Sequence, residues 1–216
     1  MKKFAAAVML AAFCVVSASA VGIGFRGDVD FGVGTLKNND QKATFQKSEQ
    51  LVGGEIGVWF DLPFVDLKVV SVGFRPEAAI AFNQGVILGG DATLKTTDFN
   101  VPLFVDACVN LGIVRVSAGI GPYVSWSFAT NSAKTKLNGM NVTYEYPNVG
   151  WNNPTWGLAA FAQAGIKVGA GFLLFDVRAN APFTDSEIKS LVDNQKETVT
   201  SKRYRIDLGI GYEFVL

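Results

Sequence analysis

From Val21 to Leu216 the chain has no apolar run long enough for a membrane helix, yet eight stretches alternate oily and polar residues with a period of two. A helical span needs roughly 20 consecutive apolar residues. A period of two belongs to the β-strand, whose successive side chains point to opposite faces. The first stretch, 21–34, sets Val21, Ile23, Phe25, Val29, Phe31 and Val33 on one face and Gly22, Gly24, Arg26, Asp28, Asp30, Gly32 and Gly34 on the other. Within it, Gly22-Ile23-Gly24-Phe25-Arg26-Gly27 fits the dinucleotide-binding pattern G-x-G-x-x-G. That fingerprint needs a strand before it and a helix after it. Here strand periodicity continues where the helix should begin, so the match is set aside.

Residues 1–20 read as a segment to be removed before folding. Lys2 and Lys3 form a positive start, Phe4 to Val16 an apolar run, and Ala18-Ser19-Ala20 a small-residue cleavage site. This is the pattern of a secretory signal peptide. Cys14 is read as part of the apolar run, since bulky Phe13 precedes it where a lipoprotein site has a small residue. The expected domains are therefore a cleaved signal peptide, 1–20, and one barrel domain, 21–216. Without Lys2 and Lys3 the remainder carries 17 basic and 19 acidic residues, which suggests no nucleic-acid partner. One cysteine, Cys108, is left, so an internal disulfide is excluded.

Seven more alternating stretches follow, at about 51–62, 68–82, 97–109, 113–128, 155–168, 171–183 and 203–216. Their connections alternate in length: long at 35–50, 83–96, 129–154 and 184–202, short near Pro63, Gly112 and Gly169. In an antiparallel meander all four long loops then lie at one end and both termini at the other. The polar face holds Arg26, Asp28, Asp30, Glu55, Asp61, Arg75, Glu77, Asp98, Asp106, Arg115, Lys167, Asp176, Arg178, Arg203, Arg205, Asp207 and Glu213. Among these, Arg26, Asp28, Glu55, Arg75, Glu77, Arg115, Asp176, Arg178, Arg205 and Asp207 are the candidate lumen charge network, with glycines on the same face making room. Leu51, Trp59, Phe104, Phe161, Phe172 and Leu174 share this parity. The opposite face is almost free of charge. It is rimmed by Phe82, Phe99, Trp126, Phe128, Trp156, Phe183 and Tyr204 toward the long loops, and by Phe60, Phe64, Tyr212 and Phe214 toward the short turns.

A soluble calyx puts its oily face inward; two aromatic rims on an uncharged face are instead the girdles of a lipid-facing wall. In lipid every backbone group must be satisfied internally, which leaves the closed barrel once helices are excluded. The predicted fold is all-β: an eight-stranded antiparallel up-and-down transmembrane β-barrel with a polar, charged lumen.

On "SVGFRPEAAIAF" (71–82), "DFNVPLFVDACV" (98–109), "SAGIGPYVSWSF" (117–128) and the closing "RIDLGIGYEFVL", the chain resembles the small eight-stranded bacterial outer-membrane barrels of the OmpX, OmpW and PorT-like kind. The resemblance implies an outer-membrane location, with periplasmic termini and extracellular long loops. It also implies contact with the barrel-insertion machinery through alternating terminal residues, here Tyr212, Phe214 and Leu216. Leu216 departs from the usual terminal aromatic.

For function, three classes are open. Catalysis is disfavoured because barrel hydrolases, by resemblance, rely on histidine and this chain has none; no catalytic residue, metal site or cofactor is expected. A structural or surface-interaction role fits a monomer whose lumen is largely plugged, since eight strands enclose about enough room for side chains alone. Partners would then be outer-membrane lipid and an extracellular ligand met by the long loops, with Tyr144, Tyr146 and Trp151 as a candidate recognition surface. The alternative is a narrow porin-like channel of the OmpW type for small, hydrophobic solutes. Three local features are set apart. Asn141-Val142-Thr143 is a chance glycosylation match, Cys108 is inward filling, and Thr184 with Glu187 has capping-box spacing, which predicts a helical turn or two before Val192.

Overall fold

The computed structural model describes residues 21–38, 46–67, 69–87, 93–129, 133–137, 140–144, 154–192 and 195–216. Residues 1–20, expected to be a signal peptide, lie outside the described residues, as do Tyr146 and Trp151. The eleven strands are β1 Gly22–Asn38, β2 Gln46–Asp66, β3 Val70–Ile87, β4 Thr93–Asn110, β5 Val114–Ala129, β6 Ala133–Leu137, β7 Met140–Tyr144, β8 Thr155–Val168, β9 Gly171–Pro182, β10 Ser186–Val192 and β11 Gln195–Val215. Eight of them make the wall, in the order β1-β2-β3-β4-β5-β8-β9-β11, and β11 pairs back onto β1 to close it. Every one of these pairings is antiparallel. Closure removes the free edges that an open sheet would present to lipid.

The seam runs from Gly22 opposite Val215 to Asn38 opposite Val199, and the Leu216 N–H donates to the Val21 carbonyl at 3.0 Å. Both ends of the barrel domain are thereby tied at the short-turn end. Gly112 (φ 84°) and Gly169 (φ 62°) make two of the short turns in the left-handed region, where a side chain is strained. The third short connection lies between Leu67 and Val70, where the Leu67 N–H donates to the Val70 carbonyl at 2.9 Å, rather than at Pro63. Pro63 is instead inside β2, at a bulge where the ladder to β3 skips Phe64. A proline without an N–H is tolerated in a sheet at such a bulge.

The wall also rises further than the oily alternation extends. β1 and β11 stay paired to Asn38 and Val199, and β2 and β3 to Glu49 and Ile87. Above β9, which meets β11 only from Arg205 downward, the exposed edge of β11 is taken by β10, β10 pairs with β7, and β7 with β6. The predicted helix near Thr184 is therefore a strand. The Thr184 hydroxyl accepts a hydrogen bond from the Trp156 N–H at 2.8 Å, so it does not cap a helix, and Ser186–Val192 finds its backbone partners on β11.

Exposure shows that the barrel is oily outside. Ile56, Phe175 and Val33 are 59%, 57% and 61% exposed, whereas Trp59, Arg75 and Asp207 are fully enclosed at 0%. So continuous an apolar surface suits lipid, not water.

The candidate functional site in the lumen

Inward side chains from all eight wall strands meet at successive levels, because register places residues of like parity side by side. In the long-loop half, Arg26 sits between β2 and β3 partners: it pairs with Asp28 and Glu55 and donates to Glu77 at 2.6 and 2.9 Å. Arg178 grips the same Glu77 at 2.7 and 2.9 Å and holds Asp176 in a two-pronged contact at 2.9 and 3.0 Å. Arg205 donates to Glu55 at 2.8 Å and stands 3.6 Å from Asp207 and 4.0 Å from Asp30. Asn100 and Asn180 donate to Glu55 and Asp207 at 2.6 and 2.9 Å. Carboxylates that face one another across the ladder, Asp28 with Glu55 and Asp30 with Asp207, thus share these guanidiniums.

The short-turn half has its own group. Arg115 pairs with Glu213 and donates to Asp61 at 2.5 Å; Arg75 donates to Asp61 at 3.2 Å and lies 3.6 Å from Glu213 and 3.8 Å from Asp106. The Arg115 Nε–H also donates to Cys108 Sγ at 3.0 Å, and the Trp59 indole N–H to Glu213 at 3.4 Å. Gln163 connects the halves, accepting from Arg75 at 2.6 Å and donating to Asp176.

Two apolar clusters fill the lumen beside the ion pairs. Phe104 and Phe161 meet edge to face at 4.8 Å, packed with Tyr123 and Ala159, and Trp59, Phe172 and Leu174 form a second cluster. The Phe161 ring is held between guanidiniums of both halves, Arg75 at 4.5 Å and Arg178 at 5.4 Å from its centre. Such cation–π contacts strengthen when desolvated, to about 2 kcal/mol. Glycines clear the space: a Cβ on Gly24 would collide with the Trp59 ring, and one on Gly209 with the Asp28 carboxylate.

All ten candidate network residues point into the lumen, and Gln163 joins what would otherwise be two separate groups. Lys167, on the same parity, is exposed opposite Phe172, one rung before the last at the Gly169 turn. Tyr212, Phe214 and Leu216 face outward, the Tyr212 hydroxyl donating to the Val168 carbonyl at 2.6 Å. Tyr144 ends β7, in the middle of the sheet extension, opposite Ser190 of β10 and Ala133 of β6. The sequence reading missed the amides that complete the network, Gln163, Asn100 and Asn180, whose inward parity was their one available signal.

Among the described residues, hollows open at both ends of the lumen and on the outer wall. At the long-loop end of the lumen a cavity of about 40 Å³ is lined by Asn83, Asp98, Tyr123, Arg203 and Arg205 among others. At the short-turn end one of about 110 Å³ reaches Cys108, Arg115, Asp61 and Glu213. On the outer face a groove of about 370 Å³ lies over β11, β1 and β2. Among the described residues no group of carboxylates and thiols is arranged to hold a metal.

No family model matches the sequence, and no curated protein does. Solved structures do. The outer membrane protease OmpT from Escherichia coli aligns over 93% of this chain and 98% of its own at 6% identity, with a TM-score of 0.55. OprG from Pseudomonas aeruginosa aligns over 91% and 97% at 14% identity and a TM-score of 0.49. A major outer membrane protein from Thermus thermophilus aligns over 88% and 99% at 16% identity and 0.41. Identities this low speak to fold and to nothing finer. The closed, antiparallel, oily-outside wall and the likeness to the OmpT barrel give the chain the fold of an outer-membrane β-barrel.

Proposed function

We infer that this barrel is a non-catalytic, monomeric outer-membrane protein that acts through its long-loop face, as a structural or surface-interaction protein, with a lumen closed to solutes. The observation that carries this reading is the Arg75–Phe161–Arg178 stack. All three side chains are buried, at 0%, 4% and 3% exposure, and the Phe161 ring lies between one guanidinium of each ion-paired group. Buried charges are tolerable only when paired and hydrogen-bonded, so a lumen filled in this way resists wetting. The absence of histidine from the whole sequence supports a non-catalytic role, the OmpT likeness being one of fold. The long loops face outward and the termini inward to the periplasm. A tag inserted at residue 139 is then reachable on intact cells and one at Gly112 only after the outer membrane is permeabilised. Liposomes carrying the refolded protein should not swell in isotonic small sugars or amino acids; swelling at the rate of a porin contradicts the reading.

A second reading is favoured by one observation. The long-loop cavity and the outer groove share Leu51 and Arg205, which flank Gly32 in register on either side. A narrow path for small hydrophobic solutes would leave the lumen sideways there. Gly32→Val, whose new Cβ meets the Tyr204 carbonyl at 2.9 Å, should block it. Unchanged uptake of a small alkane in that variant removes this reading.

A further inference from the structure

In the short-turn half of the lumen the buried charges do not balance. Three enclosed carboxylates, Asp61, Asp106 and Glu213, face two enclosed guanidiniums, Arg75 and Arg115. Asp66 and Lys167, at the same end, are exposed and screened by water. One buried negative charge is left over, and a buried charge is tolerated only when it is paired.

The shortfall falls on Asp106. Asp61 accepts from Arg75 at 3.2 Å and from Arg115 at 2.5 Å, and Glu213 pairs with Arg115 and accepts from the Trp59 indole at 3.4 Å. Asp106 has only Arg75, 3.8 Å from its Oδ2. Its Oδ1 has no hydrogen-bond partner, although the residue is 3% exposed.

That oxygen faces a gap left by a glycine. Gly73 stands opposite Asp106 on one side and Pro63 on the other. A Cβ on Gly73 would lie 3.1 Å from Asp106 Oδ1, 3.2 Å from the Leu62 carbonyl oxygen and 3.3 Å from Asp61 Oδ1. These are the nearest atoms to that point, so three oxygens, two of them on carboxylates, converge where no side chain stands. The cavity of about 110 Å³ at this end is lined by Asp61 and by Ser71, two residues from Gly73 on β3, and gives a wet approach.

We propose that the gap at Gly73 binds one small monovalent cation of the sodium kind, held by Asp106 Oδ1, Asp61 Oδ1 and the Leu62 carbonyl and completed by water from the cavity. Oxygens of this type are what a hard cation takes. A single positive charge cancels the excess of one. A divalent ion would overshoot it, and a neutral water would leave it uncancelled. The site goes beyond the role proposed above and does not depend on it, because it is read as stability of the refolded barrel.

The test is urea unfolding of the refolded full chain in a nonionic detergent at mildly alkaline pH, in sodium chloride and in choline chloride of equal ionic strength. Choline is too large for the gap. Sodium should raise the midpoint saturably, by about 0.5 M urea at a tenfold excess over its dissociation constant. Asp106→Asn removes the surplus charge, and Gly73→Ala puts a methyl group at the point where the oxygens converge; each should unfold at one midpoint in both salts. Should Asp106→Asn fail to refold, Gly73→Ala tests the gap alone, since its Cβ crowds the three oxygens only slightly. The proposal is overturned if wild type unfolds identically in the two salts, as a proton on Asp106 or a bridging water would have it. It is equally overturned if either variant, once folded, keeps the full sodium dependence.

Discussion

In the long-loop half of the lumen three guanidiniums (Arg26, Arg178, Arg205) serve six carboxylates (Asp28, Asp30, Glu55, Glu77, Asp176, Asp207). In the short-turn half two (Arg75, Arg115) serve three (Asp61, Asp106, Glu213) and rest against Trp59, Phe161 and Phe172. The first half is held by sharing: each guanidinium neutralises several anions, so losing one leaves more than one carboxylate unmet. The second is held as much by ring faces as by ion pairs, and it borders the larger cavity, where water can enter. The same kind of substitution should therefore have unequal consequences at the two ends.

The largest effect is expected for Arg178→Ala, which strips Glu77 and Asp176 of their two-pronged partner. Breaking a buried pair costs about 3–5 kcal/mol, read as a lower urea midpoint of the refolded barrel with an unchanged slope. Its outward neighbour gives a control on the other side of the wall. Val177 is 50% exposed, in the middle of β9. Val177→Arg should cost about 2–4 kcal/mol in lipid vesicles, the penalty of a cation at the midplane, and little in a detergent that lets the side chain reach water. Arg115→Ala should cost less, about 1–3 kcal/mol, because Asp61 and Glu213 keep Arg75 and adjoin the 110 Å³ cavity. If Arg115→Ala proves as damaging as Arg178→Ala, the two halves are not held differently.

The smallest effect is kinetic. Cys108 lines the short-turn cavity but is only 4% exposed and is covered by the Arg115 guanidinium. A small methanethiosulfonate reagent should modify it slowly in the folded wild type and several-fold faster in Arg115→Ala. Equal rates in the two proteins would mean that Arg115 does not shield the thiol.

Much of this was legible in the sequence, because lipid and lumen impose opposite demands on alternate residues. Phe25 and Arg26, or Val177 and Arg178, declare their faces by type alone. Legibility failed where that contrast ends. Beyond the oily band the strands continue through Thr35, Gln50, Asn83 and Thr96, polar on either parity, so these stretches read as loops although their backbones stay paired. Thr184 and Glu187 have the local spacing of a cap, but the open edge of β11, distant from them in pattern, decided their conformation. Pro63 reads as a turn because the bulge that accommodates it depends on β3. Within the network, the charges could be assigned to the lumen but not paired. Arg26 reaches Glu77, 51 residues away and two strands over, and side-chain reach across a barrel leaves no mark in the alternation.

The central claim, that Phe161, held between guanidiniums of both ion-paired groups, closes the lumen, is tested most directly by planar-bilayer recording of wild type beside Phe161→Ala. Phe→Ala in a core costs about 3–5 kcal/mol, so the variant is first refolded and its heat-modifiable mobility confirmed. Wild type should show no steady current, and Phe161→Ala should show small, long-lived openings. A steady current through wild type that Phe161→Ala leaves unchanged would contradict the account.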